Sequence, residues 1–177
     1  MNNPSRRRFL AVTCATAAAV TAGPTLAKVG NARTLKMRNL HTGETLNTAF
    51  WSNGDYDSSG LKQFNRLLRD HRANEVTRMD PELFDIVYKL KQKLGFNGTV
   101  EIISGYRSPK TNAKLRAQGR GVARRSYHTR GMALDIRFPG ISTSKLRRAA
   151  MDLRAGGVGH YPKSGFVHVD TGPVRSW

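Results

Sequence analysis

Two histidines and an aspartate on separate segments constrain most strongly how this chain folds. They are His128 after a basic stretch, Asp135 inside an apolar run, and His168 near the end of the sequence. Their side chains can meet only in a folded domain, and two imidazoles with a carboxylate suit one divalent metal ion. A hydrolytic zinc site usually takes three protein ligands and leaves a fourth position for water. Polar residues of these types are also common at surfaces and in hydrogen-bonded cores, and the spacing alone does not choose between the two.

The periodicity of apolar residues predicts an α+β fold, a single compact domain with a mostly antiparallel sheet packed against helices. A β-hairpin is expected first, with strands at 34–40 and 44–49. Helices are then expected before most of the sheet, with Gly95 and Gly156-Gly157 as helix stops. The basic segment 119–130 is expected to be irregular. The remaining predicted elements are helices at 61–71, 81–94, 110–117 and 143–154, and strands at 99–104, 132–138, 159–161 and 166–170.

Residues 1–27 have the pattern of an export signal. Three arginines at positions 6–8 precede Phe9-Leu10 and a short apolar run, and small residues at 25 and 27 favour cleavage near Lys28. The apolar run is shorter than the ~20 residues that cross a bilayer. The paired arginines resemble the twin-arginine export signal. We therefore expect a mature domain at 28–177 in the periplasm or cell envelope, with retention of the signal as an anchor as the alternative.

The net charge is strongly positive and indicates an anionic partner. It is +18 for the whole chain and falls to about +15 when Arg6, Arg7 and Arg8 leave with the signal. An exported protein meets peptidoglycan, anionic wall polymers and lipid headgroups rather than nucleic acid. The basic residues are scattered, and no nucleic-acid-binding motif accompanies them. We expect a monomer on peptidoglycan, with no nucleic-acid partner and no membrane span in the mature form.

Several separated motifs resemble the M15 peptidases, which are zinc-dependent peptidoglycan peptidases that include D-alanyl-D-alanine carboxypeptidases. The resemblance is greatest to the exported, murein endopeptidase K-like branch, once described as a domain of unknown function. It implies the fold shared by D,D-peptidases and the hedgehog signalling domain, and one zinc ion held by His128, Asp135 and His168. It also implies that Arg107 contacts a substrate carbonyl or carboxylate. The motifs lie at residues 104–108, 126–135, 157–159, 166–170 and 172–177.

The general base is the part of the family pattern that does not transfer. Many relatives place a Glu or Asp three residues before the last ligand, where this chain has Gly165. Asp170 shares a strand face with His168 and is one candidate, although it could instead orient the imidazole. His160 is a further candidate, or else a substrate-contact or surface residue. Ser126 is expected to hydrogen-bond near the site or to serve only as a turn serine.

These observations predict an exported zinc metallopeptidase that hydrolyses amide bonds in peptidoglycan stem peptides or crosslinks. The resemblance favours an endopeptidase, with a D-alanyl-D-alanine carboxypeptidase as an alternative. A second alternative is a zinc-containing cell-wall binding module without activity.

Overall fold

A β-hairpin opens the part of the chain that the structure describes. The computed structural model describes residues 32–119 and 121–177. Strand β1 (Arg33–Asn39) alternates buried and exposed residues, as expected of a strand with one face on a core. It pairs antiparallel with β2 (Thr45–Ser52), which also pairs with the short β3 (Asp55–Tyr56). The predicted hairpin is therefore confirmed.

Four α-helices follow in the described part of the chain, and three of them are preceded by a residue whose side chain caps the first turn. They are α1 (Ser58–Leu67), α2 (Glu82–Leu94), α3 (Pro109–Ala117) and α4 (Thr143–Leu153). The capping side chains belong to Asp57, Ser108 and Ser142, each of which accepts a backbone N–H. None of the helices within these residues combines the length and the apolar character needed to cross a bilayer.

The helix boundaries differ from the prediction where local capping decides them. Helix α1 starts three residues early because the Asp57 carboxylate accepts the Gly60 N–H at 2.7 Å. Helix α2 ends at Gly95 in the left-handed conformation, as predicted. Helix α4 ends differently, because Arg154 itself adopts a left-handed conformation at φ 48°. Within the segment expected to be irregular, Tyr127–Arg130 forms a short 3₁₀ helix.

The eight strands found in the described residues belong to one sheet. The later strands are β4 (Val100–Ser104), β5 (Ala133–Arg137), β6 (Gly157–Tyr161), β7 (Phe166–Asp170) and β8 (Arg175–Ser176). Their order is β3-β2-β1-β4-β5-β7-β6-β8, and only the β1–β4 and β6–β8 pairs are parallel. The α+β class is confirmed. The sheet is not confined to the second half of the chain, because the hairpin forms one side of it.

The two faces of the central strands have different roles. On β5 and β7, alternate residues such as Leu134, Ile136 and Val167 join the core that helices α1, α2 and α4 cover. The residues between them, Asp135 and His168, point to the opposite face. The apolar face anchors the sheet, and the other face presents polar side chains.

The connection between β4 and β5 covers this polar face and is tied down by backbone hydrogen bonds. Tyr106 donates its N–H to the Leu68 carbonyl at 2.7 Å, and Arg107 donates to the His128 carbonyl at 3.1 Å. The buried Asp70 carboxylate accepts the Ser108 N–H at 2.9 Å. Asp70 therefore fixes the point where this connection enters α3.

Replacing Asp70 by Asn should lower the free energy of unfolding by about 1–2 kcal/mol at neutral pH. Burial raises the pKa of Asp70, but hydrogen bonds from Thr111, Ser108 and Arg72 outweigh it and hold the pKa below its ordinary value. Because the folded-state pKa is lowered, this stabilisation is complete above the unfolded pKa and disappears as the pH falls through the folded value.

Urea denaturation of both proteins at about pH 7 and about pH 3 tests this. The difference between wild type and Asp70→Asn should shrink at the lower pH. Asp152→Asn, at an exposed position on α4, is the matched control and should change little at either pH. A difference that stays constant with pH would contradict the assignment.

Candidate metal centre

Three ligand atoms converge on the polar face of the sheet. His128 Nε2, Asp135 Oδ1 and His168 Nδ1 are separated by 3.3, 3.2 and 2.9 Å, and all three residues are buried. A tetrahedral ion about 2.0–2.1 Å from each ligand needs ligand atoms roughly 3.4 Å apart. The three atoms are thus spaced to hold one metal ion, and the structure brings together the residues that the sequence pointed to.

The remaining ring nitrogens fix which lone pairs face this cluster. His128 Nδ1 lies 2.7 Å from the Gly105 carbonyl oxygen, which accepts only if Nδ1 carries the proton. His168 Nε2 lies 3.0 Å from Asp170 Oδ2 and donates to it in the same way. When both imidazoles are neutral, each therefore turns an unprotonated nitrogen toward Asp135. A single shared proton can bridge only two of the three facing acceptor atoms, whereas one metal cation can bind all three.

Sheet register and one tight turn place the ligands. Asp135 and His168 are directly opposite each other in the β5–β7 pair. His128 comes from the 3₁₀ helix, which ends at Gly131 in the left-handed conformation at φ 69°. A Cβ at Gly131 would also lie 2.6 Å from the Arg78 carbonyl oxygen. A larger residue there would push the 3₁₀ helix, and His128 with it, away from the sheet.

The charge of Asp135 is held by its histidines. Burial raises the pKa of Asp135, but when the histidines are protonated the positive potential of His128 and hydrogen bonds from both rings outweigh it and hold the pKa well below its usual range. Burial lowers the pKa of His168, and its bonds to Asp135 and Asp170 raise the pKa above its ordinary value overall. The cluster therefore keeps an ionised carboxylate in a buried position.

Asp170 is fully buried behind His168, and its two oxygens are occupied by protein donors. It accepts two bonds from Arg175, at 3.0 and 2.7 Å, and the N–H groups of Gly157 at 3.1 Å and Gly172 at 2.9 Å. Burial raises the pKa of Asp170, but the bonds from His168, Arg175 and Gly172 keep it far below its usual range. A Cβ at Gly157 would lie 2.5 Å from Asp170 Oδ2, so this network requires glycine there.

Arg107 faces the cavity over the cluster. This cavity, of about 520 Å³, is also lined by His128 and His168. Arg107 is 9% exposed and its guanidinium is loosely held, by Asn112 Oδ1 at 3.3 Å and Ser104 Oγ at 3.4 Å. Its buried Nε has no hydrogen-bond partner among the described residues. Burial lowers the pKa of Arg107, with Asp135 acting in the opposite direction.

The other two predicted site residues have different surroundings. Ser126 is buried, lines the cavity and precedes the 3₁₀ helix, where its carbonyl accepts the Thr129 hydroxyl at 2.7 Å. His160 is not brought to the cluster. In the β6–β7 register Gly159 lies opposite His168, and His160 faces α4 with Nε2 3.1 Å from Thr143 Oγ1.

Three cavity residues were not singled out as site residues by the sequence reasoning. Arg175 holds Asp170, and Trp177 lies with its ring centroid 5.3 Å from that of His168. Tyr161 lines the same cavity. The available signal was the closing segment 172–177, which belonged to the family resemblance but forms a strand too short to show periodicity.

Removing the Asp170 carboxylate should destabilise the protein even when no metal is bound. Asp170→Ala leaves His168 and two backbone N–H groups without an acceptor and removes the ion pair with Arg175, and we expect a loss of about 3 kcal/mol in the free energy of unfolding. Urea denaturation in the presence of a chelator measures this. Asp152→Ala breaks an exposed ion pair with Lys93 and should cost less than about 1 kcal/mol. Equal losses in the two variants would contradict a structural role for Asp170.

Comparison with known proteins identifies the family of this chain. The family model Peptidase_M15_2, described as peptidoglycan L,D-endopeptidase MepK, matches residues 27–177. The peptidoglycan L,D-endopeptidase MepK of Escherichia coli K12 is 47% identical over 176 residues, which are 98% of this chain and 97% of that protein. A probable peptidoglycan L,D-endopeptidase MepK of Haemophilus influenzae is 48% identical over 146 residues, 82% of this chain and 78% of its own length. The chain therefore belongs to the M15_2 peptidase family, as the sequence motifs predicted.

Proposed function

We propose that this protein is a zinc-dependent peptidoglycan L,D-endopeptidase of the cell envelope. The observation that carries the proposal is the buried triad of His128, Asp135 and His168, whose free lone pairs converge beside a cationic cavity. The names of the relatives supply the substrate class and the bond type. The family and the site chemistry thus support the same activity.

The donor set fits zinc in a hydrolytic site. Two imidazole nitrogens and one carboxylate oxygen would hold the ion and leave further positions open. When bound, zinc lowers the pKa of a water ligand and polarises a carbonyl group. Other first-row metals also accept N and O ligands, so metal analysis belongs to the test. Asp170 would act by fixing the His168 ring, because its own oxygens already accept bonds from protein donors.

Arg107 is proposed to bind the negative oxygen that develops on the scissile carbonyl, or a substrate carboxylate beside it. Its guanidinium is buried at the cavity, and its Nε has no protein partner among the described residues. A preorganised donor in a site shielded from water acts strongly on charge that develops during reaction. Ser126, at the same wall, is proposed as a further substrate contact.

The L,D bond type distinguishes two crosslinks. A bond between two diaminopimelates joins an L centre to a D centre, whereas one between D-alanine and diaminopimelate joins two D centres. The proposed substrate is therefore the former, and a D-alanyl-D-alanine carboxypeptidase activity is not favoured. Stem peptides carry free carboxylates, which agrees with a cavity lined by Arg107, Arg125 and Arg175.

Export is proposed from the sequence. The expected twin-arginine signal at 1–27 lies outside the described residues, as does any choice between its cleavage and its retention. Peptidoglycan is found outside the cytoplasmic membrane, so the proposed activity requires export. We propose that the mature domain works there as a monomer, held near the anionic wall by its basic surface and without a nucleic-acid partner.

A binding module without activity is the second candidate, and one observation favours it. Among the described residues that line the cavity there is no Asp or Glu side chain, so no carboxylate is placed to take a proton there. A protein of this kind would bind sacculi and metal but leave crosslinks intact. Digestion separates the two candidates.

The proposed activity predicts metal-dependent loss of diaminopimelate crosslinks from purified sacculi. Protein beginning at Lys28 should convert the crosslinked dimers to monomers, as read by mass spectrometry of the muropeptides. A chelator should abolish conversion and added zinc should restore it. His168→Ala should lower the rate by more than about 100-fold, because a ligand is lost.

Metal content and sacculus binding are measured in parallel. Intact dimers with a zinc-loaded protein that sediments with sacculi would establish the binding module instead. Cleavage of only the D-alanine crosslink would contradict the proposed bond type. Activity that persists in His168→Ala and in chelator would contradict the metal centre.

Arg107→Met should lower kcat/KM for crosslink cleavage by about 100-fold without loss of bound zinc. The rate falls because the variant lacks the positively charged guanidinium that donates hydrogen bonds at the cavity. Arg148→Met, on the exposed surface of α4, is the matched control and should leave the rate near that of wild type. An Arg107→Met protein that keeps full activity would exclude the proposed contact.

A further inference from the structure

A tyrosine and a tryptophan form the cavity wall on the side of β6. The Trp177 indole Nε1 donates a hydrogen bond to the Tyr161 hydroxyl at 2.9 Å. Tyr161 stacks on Phe166 with ring centroids 4.6 Å apart and planes 19° apart. The Trp177 ring in turn lies against Gly159, the residue opposite His168, where any Cβ would collide with the indole. The Tyr161 hydroxyl is thus held by contacts on its ring and on its oxygen.

The direction of the indole bond determines what the tyrosine can still do. An indole N–H is a donor only, whereas a phenol can donate one hydrogen bond and accept others. Because the Tyr161 oxygen accepts from Trp177, its own proton points elsewhere. Within residues 32–119 and 121–177 no protein acceptor takes that proton. Tyr161, which lines the cavity and is 38% exposed, therefore keeps a donor available to whatever fills the cavity.

The sheet order places this donor across the metal ligands from Arg107. The neighbouring strands run β4, β5, β7, β6. Arg107 follows β4, the ligands Asp135 and His168 lie on β5 and β7, and Tyr161 ends β6. Tyr161 and Arg107 line the same cavity. An amide bound beside the ligands would lie between the two.

We propose that the Tyr161 hydroxyl donates a hydrogen bond to the carbonyl oxygen of the scissile amide, and that Trp177 is the residue that positions it. The bond strengthens as that oxygen becomes negative, and the tyrosine keeps its proton throughout. Trp177 polarises the phenol by donating to its oxygen, which makes the phenol a better donor. This inference rests on the proposed endopeptidase function.

The test compares single and double variants in the crosslink-cleavage assay. Tyr161→Phe should lower kcat about 10- to 100-fold, with KM changed less than about twofold, because the bond is strongest in the transition state. Trp177→Phe keeps a ring against His168 and should lower kcat about 3- to 10-fold. The double variant should match Tyr161→Phe alone, because Trp177 acts through Tyr161.

Bound zinc should be the same in all variants, and Tyr56→Phe is the matched control. The Tyr56 hydroxyl donates to Asp85 at 2.6 Å on the β3 side of the sheet, far along the strand order from the cavity. A Tyr161→Phe protein with wild-type kcat, or with a loss confined to KM, would overturn the inference. A Trp177→Phe loss that persists undiminished in the Tyr161→Phe background would overturn the positioning role. A wild-type protein that cleaves no crosslink overturns the proposed function, and this inference with it.

Discussion

The pairing of β5 with β7 is the interaction on which the site depends. Asp135 faces His168 across this pair, and Ala133 faces Asp170 one step further along the same face. Because side chains alternate across a strand, a shift of one residue would send all the polar groups into the apolar core. The residues on the other face of these strands, Leu134 and Val169 among them, are buried under the helices and hold the register. The apolar core therefore determines the position of the polar site.

A half-buried ion pair behind the site connects the end of the described chain to the candidate metal ligands. Arg175, on the two-residue β8, donates hydrogen bonds to both oxygens of Asp170. Asp170 in turn accepts a hydrogen bond from the His168 ring and so fixes its orientation. Burying an ionised carboxylate is costly unless hydrogen bonds surround it, and here four protein groups donate to Asp170. This arrangement explains why a strand as short as β8 belongs to the sheet. Strand β8 positions the Arg175 guanidinium beside Asp170 rather than adding apolar residues to the core.

The sequence predicted the parts of the structure that follow from local patterns. Strands β5 and β7 alternate apolar and polar residues, so the strand face that carries Asp135 and His168 could be inferred, whereas the family followed from the resemblance of several separated motifs. The direction in which the His160 side chain points could not be inferred, because it depends on the register that sets Gly159 opposite His168. The hydrogen-bond partners of Asp170 could not be inferred either, because Gly157, Gly172 and Arg175 come together from outside β7. Such contacts are set by tertiary packing, and no periodic pattern in the sequence corresponds to them.

The charges around the cavity favour an anionic ligand once a dication is bound. Two carboxylates, Asp135 and Asp170, lie among the site residues, and Arg175 neutralises one of them. Arg107 adds a positive charge at the cavity, and Arg125 lines it as well. A bound dication would leave a clear excess of positive charge in a partly enclosed space, where charges interact more strongly than in water. A neutral amide gains little from this field in its ground state, whereas the negative oxygen that forms when water attacks gains much more. Once a dication is bound, the arrangement would therefore stabilise the transition state preferentially, and nearby carboxylates of a stem peptide would add to binding.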